Sequence, residues 1–347
     1  MAADVLPDII HSEAELDEVM TRPTEALKTF IGTVRGPLVV LGAGGKMGPS
    51  LCVRARRAAE AVGHDLEVIA VSRFTDTAAR AALEARGIRT RACDLMDRTA
   101  IASLPDAENV IYLVGLKFGT RQDPARTWAV NTLIPAYAAA RYAGSRLVAL
   151  SSGNVYPLVP IHSGGADETQ ALTPLGEYAN ACVARERIFE YEARQHGTRV
   201  VLFRLNYAVG LRYGVLVDIA RKVYAGTPVD VTMGYLNCIW QGDANDMVLR
   251  TLDRVDTPPR PLNVTGPGVL SVRALAEQLG RLMGRPALIT GEEAATALLS
   301  NSSAACAALG VPPTPLDTVL RWTAHWVQHN GPTLGKPTHF DVRDGGY

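Results

Sequence analysis

Tyr178 lies in EYANAC, a segment of helical character, and Cys182 follows four residues later. Four residues make about one helical turn, so the phenol and the thiol share a face. A phenol so placed is either a half-buried aromatic or an acid–base group. To act near pH 7 it must come down from about 10, roughly 3 units or 4 kcal/mol in favour of phenolate. A nearby cation supplies about 1–3 units. A neutral thiol supplies almost none, and a thiolate pushes the wrong way, so Cys182 serves only as a small packing group or weak donor. The charge has to come from elsewhere. Lys117, in LVGLKFGT just past an apolar strand, is the best-placed lysine. Arg185 is two turns from Tyr178, roughly 10 Å along the helix axis, and is the weaker candidate.

A second constellation is LGAGGKMGPS, where Gly42, Gly45 and Gly48 are spaced three apart around Lys46 and Met47. A tight turn needs a residue without Cβ, a phosphate needs close backbone approach, and the helix must pack near its strand. Pro49 suits the first turn of a helix. Between a strand and a helix this pattern predicts a dinucleotide loop.

The elements that position these residues alternate. PLVVLG, LEVIAVS, IRTRACDL, NVIYLVG, RLVALSS and RVVLFRL are short apolar runs separated by helical stretches. Near-continuous apolar strands alternating with helices predict a Rossmann-type α/β fold: a doubly wound parallel sheet with its ligand at the carboxyl ends of the strands. The expected division is an N-terminal extension (1–36), a dinucleotide-binding domain (37–205, with part of 236–265 returning to it), a mainly C-terminal substrate lobe (206–330) and a polar tail (331–347). Ser12 and Glu15 form a capping box in the extension, and Pro23 interrupts the helix they open. The tail is expected to be frayed or draped over another surface.

Of the 347 residues 47% are hydrophobic, enough for a sizeable core, and 35 basic residues balance 35 acidic ones. Zero net charge argues against a general nucleic-acid binder. Five scattered cysteines without a CxxC argue against a disulfide framework or zinc site. No apolar run reaches membrane-spanning length and no signal peptide is evident, so a cytoplasmic protein is expected. His325 and His329 have metal-binding spacing but lack the glutamate of HExxH, and are expected to pack or face solvent. No metal is expected.

Several motifs in order along residues 37–330 resemble the extended short-chain dehydrogenase/reductase family, the NAD-dependent epimerases and dehydratases. Gly42, Gly45 and Gly48 match its dinucleotide loop. Asp94-Leu95 match the pair that reads adenine, Gly115 the end of the fourth strand, and Asn131 the asparagine of the following helix. Ser152, in SSGNVYP beside Asn154, matches the catalytic Ser/Thr. Tyr178 matches the catalytic tyrosine, and Asn206, in RLNYAVG, the substrate-facing asparagine. The resemblance implies a homodimer, a nicotinamide dinucleotide and a small-molecule substrate. Ser72-Arg73 at the end of the second strand replace the acid that would hold the ribose hydroxyls of NAD, so NADP is favoured over NAD.

The chain departs from the family at one point: the motif YxxxK reads Tyr178-Ala-Asn-Ala-Cys182. Three readings stand open. Lys117 replaces the cation, the cofactor's positive nicotinamide suffices, or the site is catalytically retired. In the first two, Tyr178 and Ser152 transfer a proton coupled to hydride transfer. In the third, the chain is a dinucleotide-binding sensor or assembly partner. A purely structural scaffold is disfavoured, because it needs neither the glycine loop nor the hydroxyl pair.

Nucleotide-sugar members often carry a diphosphate-binding arginine in the region that reads GYLNCIWQGDAND here, and none is present. Trp240 offers an aromatic face, and Arg212 can meet an anionic group. The expected substrate is therefore a sugar, sugar acid or other polyol-like carbonyl or alcohol compound without a nucleotide.

Overall fold

The computed structural model describes residues 6–346. Seven parallel strands form one sheet: β1 (Leu38–Leu41), β2 (Val68–Ser72), β3 (Arg89–Ala92), β4 (Asn109–Tyr112), β5 (Arg146–Ser152), β6 (Arg199–Leu205) and β7 (Arg260–Val264). Their spatial order is β7-β6-β5-β4-β1-β2-β3. Leu38 pairs with Val68 on one side and Asn109 on the other. Chain order therefore reverses at β1, and the crevice beyond β1 and β4 is the place where such a sheet binds a ligand.

Both faces of the sheet are covered. Leu38 and Val40 point to a core shared with helices α2 (Glu25–Ile31), α3 (Gly48–Ala61) and α9 (Gln241–Arg250). Val39 and Leu41 point to a second core, with Ile134 and Ala138 of α6 (Pro124–Arg141) and Phe189 of α7 (Glu177–His196). Period-2 alternation along a strand covered on both faces requires both partners to be apolar.

The rest of the chain builds a second core from α8 (Val215–Tyr224), α10 (Val272–Met283) and α12 (Leu316–Gln328). The N-terminal extension joins the two parts. Leu16, Val19 and Met20 of α1 (Glu13–Thr21) enter the lobe core, whereas Leu27 and Ile31 of α2 enter the sheet core. Ser12 accepts from the Glu15 amide, and Thr24 from that of Leu27, so each helix begins at a side-chain cap. β7 returns from the lobe region to the sheet edge beside β6, pairing Asn263 with Arg204. The tail is draped: Phe340 is buried in the lobe core, and Thr338 gives both its amide and its hydroxyl to Asp218. No helix among the described residues is long and apolar enough to cross a membrane.

Candidate active site

A groove of about 460 Å³ runs across the carboxyl ends of β1, β2 and β4. Gly42, Gly45, Ser72, Arg73, Asp94, Leu95 and Gly115 all line it. Gly42 has φ +84°, a conformation that L side chains rarely adopt, and this turns the chain out of β1. Arg73 is exposed at the rim and forms no ion pair among the described residues. Sequence reasoning passed over Arg126, whose side chain also lines the groove from the first turn of α6. Its only signal was position, three residues after the Asp123 cap. The glycine turn, polar rim and apolar flank of Leu113, Val114 and Ile134 fit a dinucleotide.

Ser152 ends β5 and Tyr178 opens α7, and the two hydroxyls are in side-chain hydrogen-bond contact. Ser152 Oγ also donates to Asn154 Oδ1 at 2.9 Å and accepts from the Asn154 amide at 3.1 Å. A buried network holds this strand end from below. Glu186 of α7 accepts from Ser151 Oγ and pairs with Arg204 of β6 at 2.6 Å. Arg204 donates onward to the Tyr156 hydroxyl, which donates to Asn263 Oδ1 at 2.8 Å. With every member satisfied, such a network fixes geometry.

Burial pushes the Tyr178 phenol far above its ordinary range, and the contact with Cys182 adds to the rise. Arg185 and Ser152 act in the opposite direction without overcoming it. The free chain therefore holds Tyr178 as the protonated acid at neutral pH. Cys182 is fully buried, and its thiol is raised, chiefly by burial.

Two cations lie near this pair, ranked differently from the sequence expectation. Arg185 is buried, donating from Nη1 to the Leu150 carbonyl at 2.9 Å and from Nη2 to Asn131 Oδ1. Burial opposes its charge, the Glu186 carboxylate favours it, and the guanidinium stays protonated. A Cβ on Gly115, three residues past β4, would stand 2.9 Å from Arg185 Nη2, so a larger residue there would push on the guanidinium. The axial distance used for Arg185 in the sequence reading ignored the lean of long helical side chains toward the N-terminus, which carries its charge back beside Cys182. Lys117 is not in open solvent. Its Nζ lies 3.5 Å from the Thr338 carbonyl, and burial brings its pKa down to about 8, with Cys182 and Asp218 acting the other way.

Other expected residues are placed as follows. Asn131 is buried and holds the backbone of Leu116 through both its amide atoms. Gly48 opens α3, and Met47 packs on the sheet core. Lys46 turns from the groove to the Ala208 carbonyl, 2.7 Å away, over the Tyr213 ring. Three expected substrate contacts have partners within the chain. Asn206 is buried and gives its amide to Asn237 at 3.0 Å. Arg212 pairs with Glu13 and Asp17 of α1, at 2.7 Å each, because the N-terminal extension supplies the carboxylates. Trp240 is 4% exposed and packs edge-on against Trp322, because the lobe core needs its area. His325 and His329 stack on each other with His11 at the edge, and no metal-ligand cluster occurs among the described residues.

Residues 38–264 match the NAD dependent epimerase/dehydratase family, and the chain belongs to that family. Among solved structures it is similar to UDP-glucuronic acid 4-epimerase from Bacillus cereus in complex with NAD. That match has a TM-score of 0.71 and 16% identity, covering 86% of this chain and 99% of that one. UDP-glucose 4-epimerase from Thermotoga maritima with UDP-glucose gives a TM-score of 0.68 at 17% identity, covering 85% and 99%. A putative epimerase from Burkholderia cenocepacia gives 0.68 at 21%, covering 85% and 98%. No curated protein matches the chain.

Proposed function

We propose that this protein is an NAD-dependent epimerase or dehydratase, or a related oxidoreductase, acting on a carbonyl or alcohol of a sugar-like substrate. The observation that carries the reading is the Ser152–Tyr178 hydroxyl pair at the carboxyl end of β5, the strand paired with β4, whose following residues Leu113–Gly115 line the groove. NAD, when bound, supplies the hydride acceptor and donor and a positive nicotinamide ring. Gly42, Gly45, Asp94, Leu95 and Gly115 would hold it. Ser152 donates a hydrogen bond to the reacting substrate oxygen. Tyr178 gives that oxygen a proton where a carbonyl is reduced and takes one where an alcohol is oxidised. Arg185 supplies fixed positive charge on the Tyr178 side, in place of the lysine missing at Cys182, and Lys117 contributes a second charge that fades as pH passes about 8. Arg73, exposed and without an ion pair among the described residues, supports accommodation of NADP as well as NAD. Exposed Trp128 and Leu133 on α6 and Tyr191 on the adjacent α7 support a homodimer built on these helices.

The test is incubation of NAD-loaded protein with free and nucleotide-linked sugars, followed by NMR for epimerised or dehydrated product. A protein that binds NAD but forms no product, and leaves the cofactor oxidised, is instead the retired dinucleotide binder.

A further inference from the structure

The C-terminal tail crosses the mouth of the site. Its inner part is firmly anchored: Thr338 is bonded twice to Asp218, Phe340 is 3% exposed in the lobe core, and Asp341 pairs with Lys222 at 3.3 Å. Its outer part is latched more weakly. Asp344 pairs with Arg121 in the open, where such a pair is worth little. Gly345 lies on the entry to α7, so that a Cβ on Gly176 would stand 2.2 Å from the Gly345 carbonyl oxygen. The strap thus closes over the turn leading into Tyr178.

Beneath it a cavity of only about 30 Å³ remains, lined by Asn154, Tyr156, Leu175, Met233, Arg343 and Gly345. Ligand pockets run from about 300 Å³ upward, so this space holds a water or two and no sugar. A substrate reaching Ser152 beside Asn154 from this side has to displace the outer strap.

Arg343 is the charged group in that wall. Nη1 donates to the carbonyls of Thr296 at 2.7 Å and Thr232 at 3.3 Å and lies 3.5 Å from Met233 Sδ, and Nη2 donates to Thr296 Oγ1 at 2.7 Å. Every partner is neutral. Of the three buried arginines among the described residues, Arg54 and Arg204 face carboxylates, and Arg185, beside Tyr178, faces neutral acceptors as Arg343 does. A guanidinium gains most from a bidentate anionic partner, so Arg343, held by neutral acceptors among the described residues and lining the cavity beside Asn154, is placed to exchange them for one.

We propose that residues 342–346 are a displaceable wall of the substrate cleft, and that Arg343 receives the carboxylate of a sugar acid of single-sugar size. The inference rests on the sugar-active reading above and narrows its substrate class. Thr338 and Phe340 keep the strap tethered while Arg343 exchanges neutral acceptors for the substrate carboxylate.

Calorimetry on the full chain, with and without saturating NAD, uses glucuronate and galacturonate against glucose and galactose, with UDP-glucose as a further arm. The wild type should bind the acids about tenfold or more tighter than the neutral sugars. Arg343→Met should erase that preference, Arg343→Lys should keep part of it, and both should bind NAD normally. Asp344→Ala, which frees the latch, should bind the acids more tightly than wild type. Equal affinity for acids and neutral sugars in the wild type overturns the proposal, as does a preference that survives Arg343→Met. Tighter binding of UDP-glucose, indifferent to Arg343, also overturns it. Glucuronate binding through Arg343 with neither epimerised, dehydrated or oxidised product nor reduced NAD would keep this inference and remove the catalytic reading. Turnover of neutral sugars through Tyr178, unaffected by Arg343→Met, would do the reverse.

Discussion

The Arg185 guanidinium is bound to the side-chain oxygen of Asn131, and this contact fixes a positive charge next to Cys182 on the face of α7 that carries Tyr178. The charge arrives from one turn further along the helix than a lysine at 182 would supply it.

Removing that charge should raise the Tyr178 ionisation, because a cation favours phenolate. In Arg185→Met with NAD bound, the Tyr178-dependent limb of the pH–rate profile of sugar turnover should move up by about one unit. Lys117→Met should move it less, since Lys117 acts mainly on Cys182. An unmoved limb in Arg185→Met would remove Arg185 from the account.

Cys182→Lys, which restores the family motif on paper, should weaken the protein. The thiol is fully buried beside Arg185, so a second ammonium enters without a partner and costs about 3 kcal/mol. Cys182→Ala should cost about 1 kcal/mol. Urea melts of the two variants measure the difference, and a Cys182→Lys protein as stable as wild type would show that the space tolerates another cation.

Lys117 gives a pH-dependent stability effect. Its folded pKa of about 8 lies below the unfolded value near 10.4, so the folded state disfavours the charged form. The cost is fully present below pH 8 and fades as pH rises from there toward 10.4. Lys117→Met should therefore gain about 1 kcal/mol at pH 7, less than the full shift implies because the contact with Thr338 is lost, and nothing at pH 11. A gain independent of pH would point to packing alone.

Arg73→Ala should weaken NADP binding about tenfold and leave NAD binding nearly unchanged, because only a 2′-phosphate meets the guanidinium. Calorimetric titration of both dinucleotides reads this directly, and equal losses for the two would exclude a phosphate contact.

The parallel sheet was legible because its strands are short apolar runs between helices, and β1 announces itself by the glycine turn that follows. Groove residues such as Asp94 and Gly115 were legible because each is tied to a strand end. Arg185 was undervalued because spacing along a helix says nothing about where a long side chain leans. The partners that Trp240 and Arg212 take within the chain were not legible for a different reason. Those partners, Trp322 and the carboxylates of α1, are distant in sequence, and nothing local distinguishes a core tryptophan or a structural arginine from a ligand contact. Arg343 was invisible in a polar tail whose path only the tertiary structure defines.

The account stands most directly on Tyr178. NAD-loaded wild type and Tyr178→Phe are mixed with a panel of aldoses, uronates and nucleotide-linked sugars, and the rates of sugar conversion, by NMR, and of NAD reduction, by absorbance, are followed. The wild type should convert at least one sugar, by epimerisation, dehydration or net oxidation. Tyr178→Phe should do so about 100-fold or more slowly while binding NAD with the same affinity. Rates within a few fold of each other, or a wild-type chain that binds no NAD, would contradict the central claim.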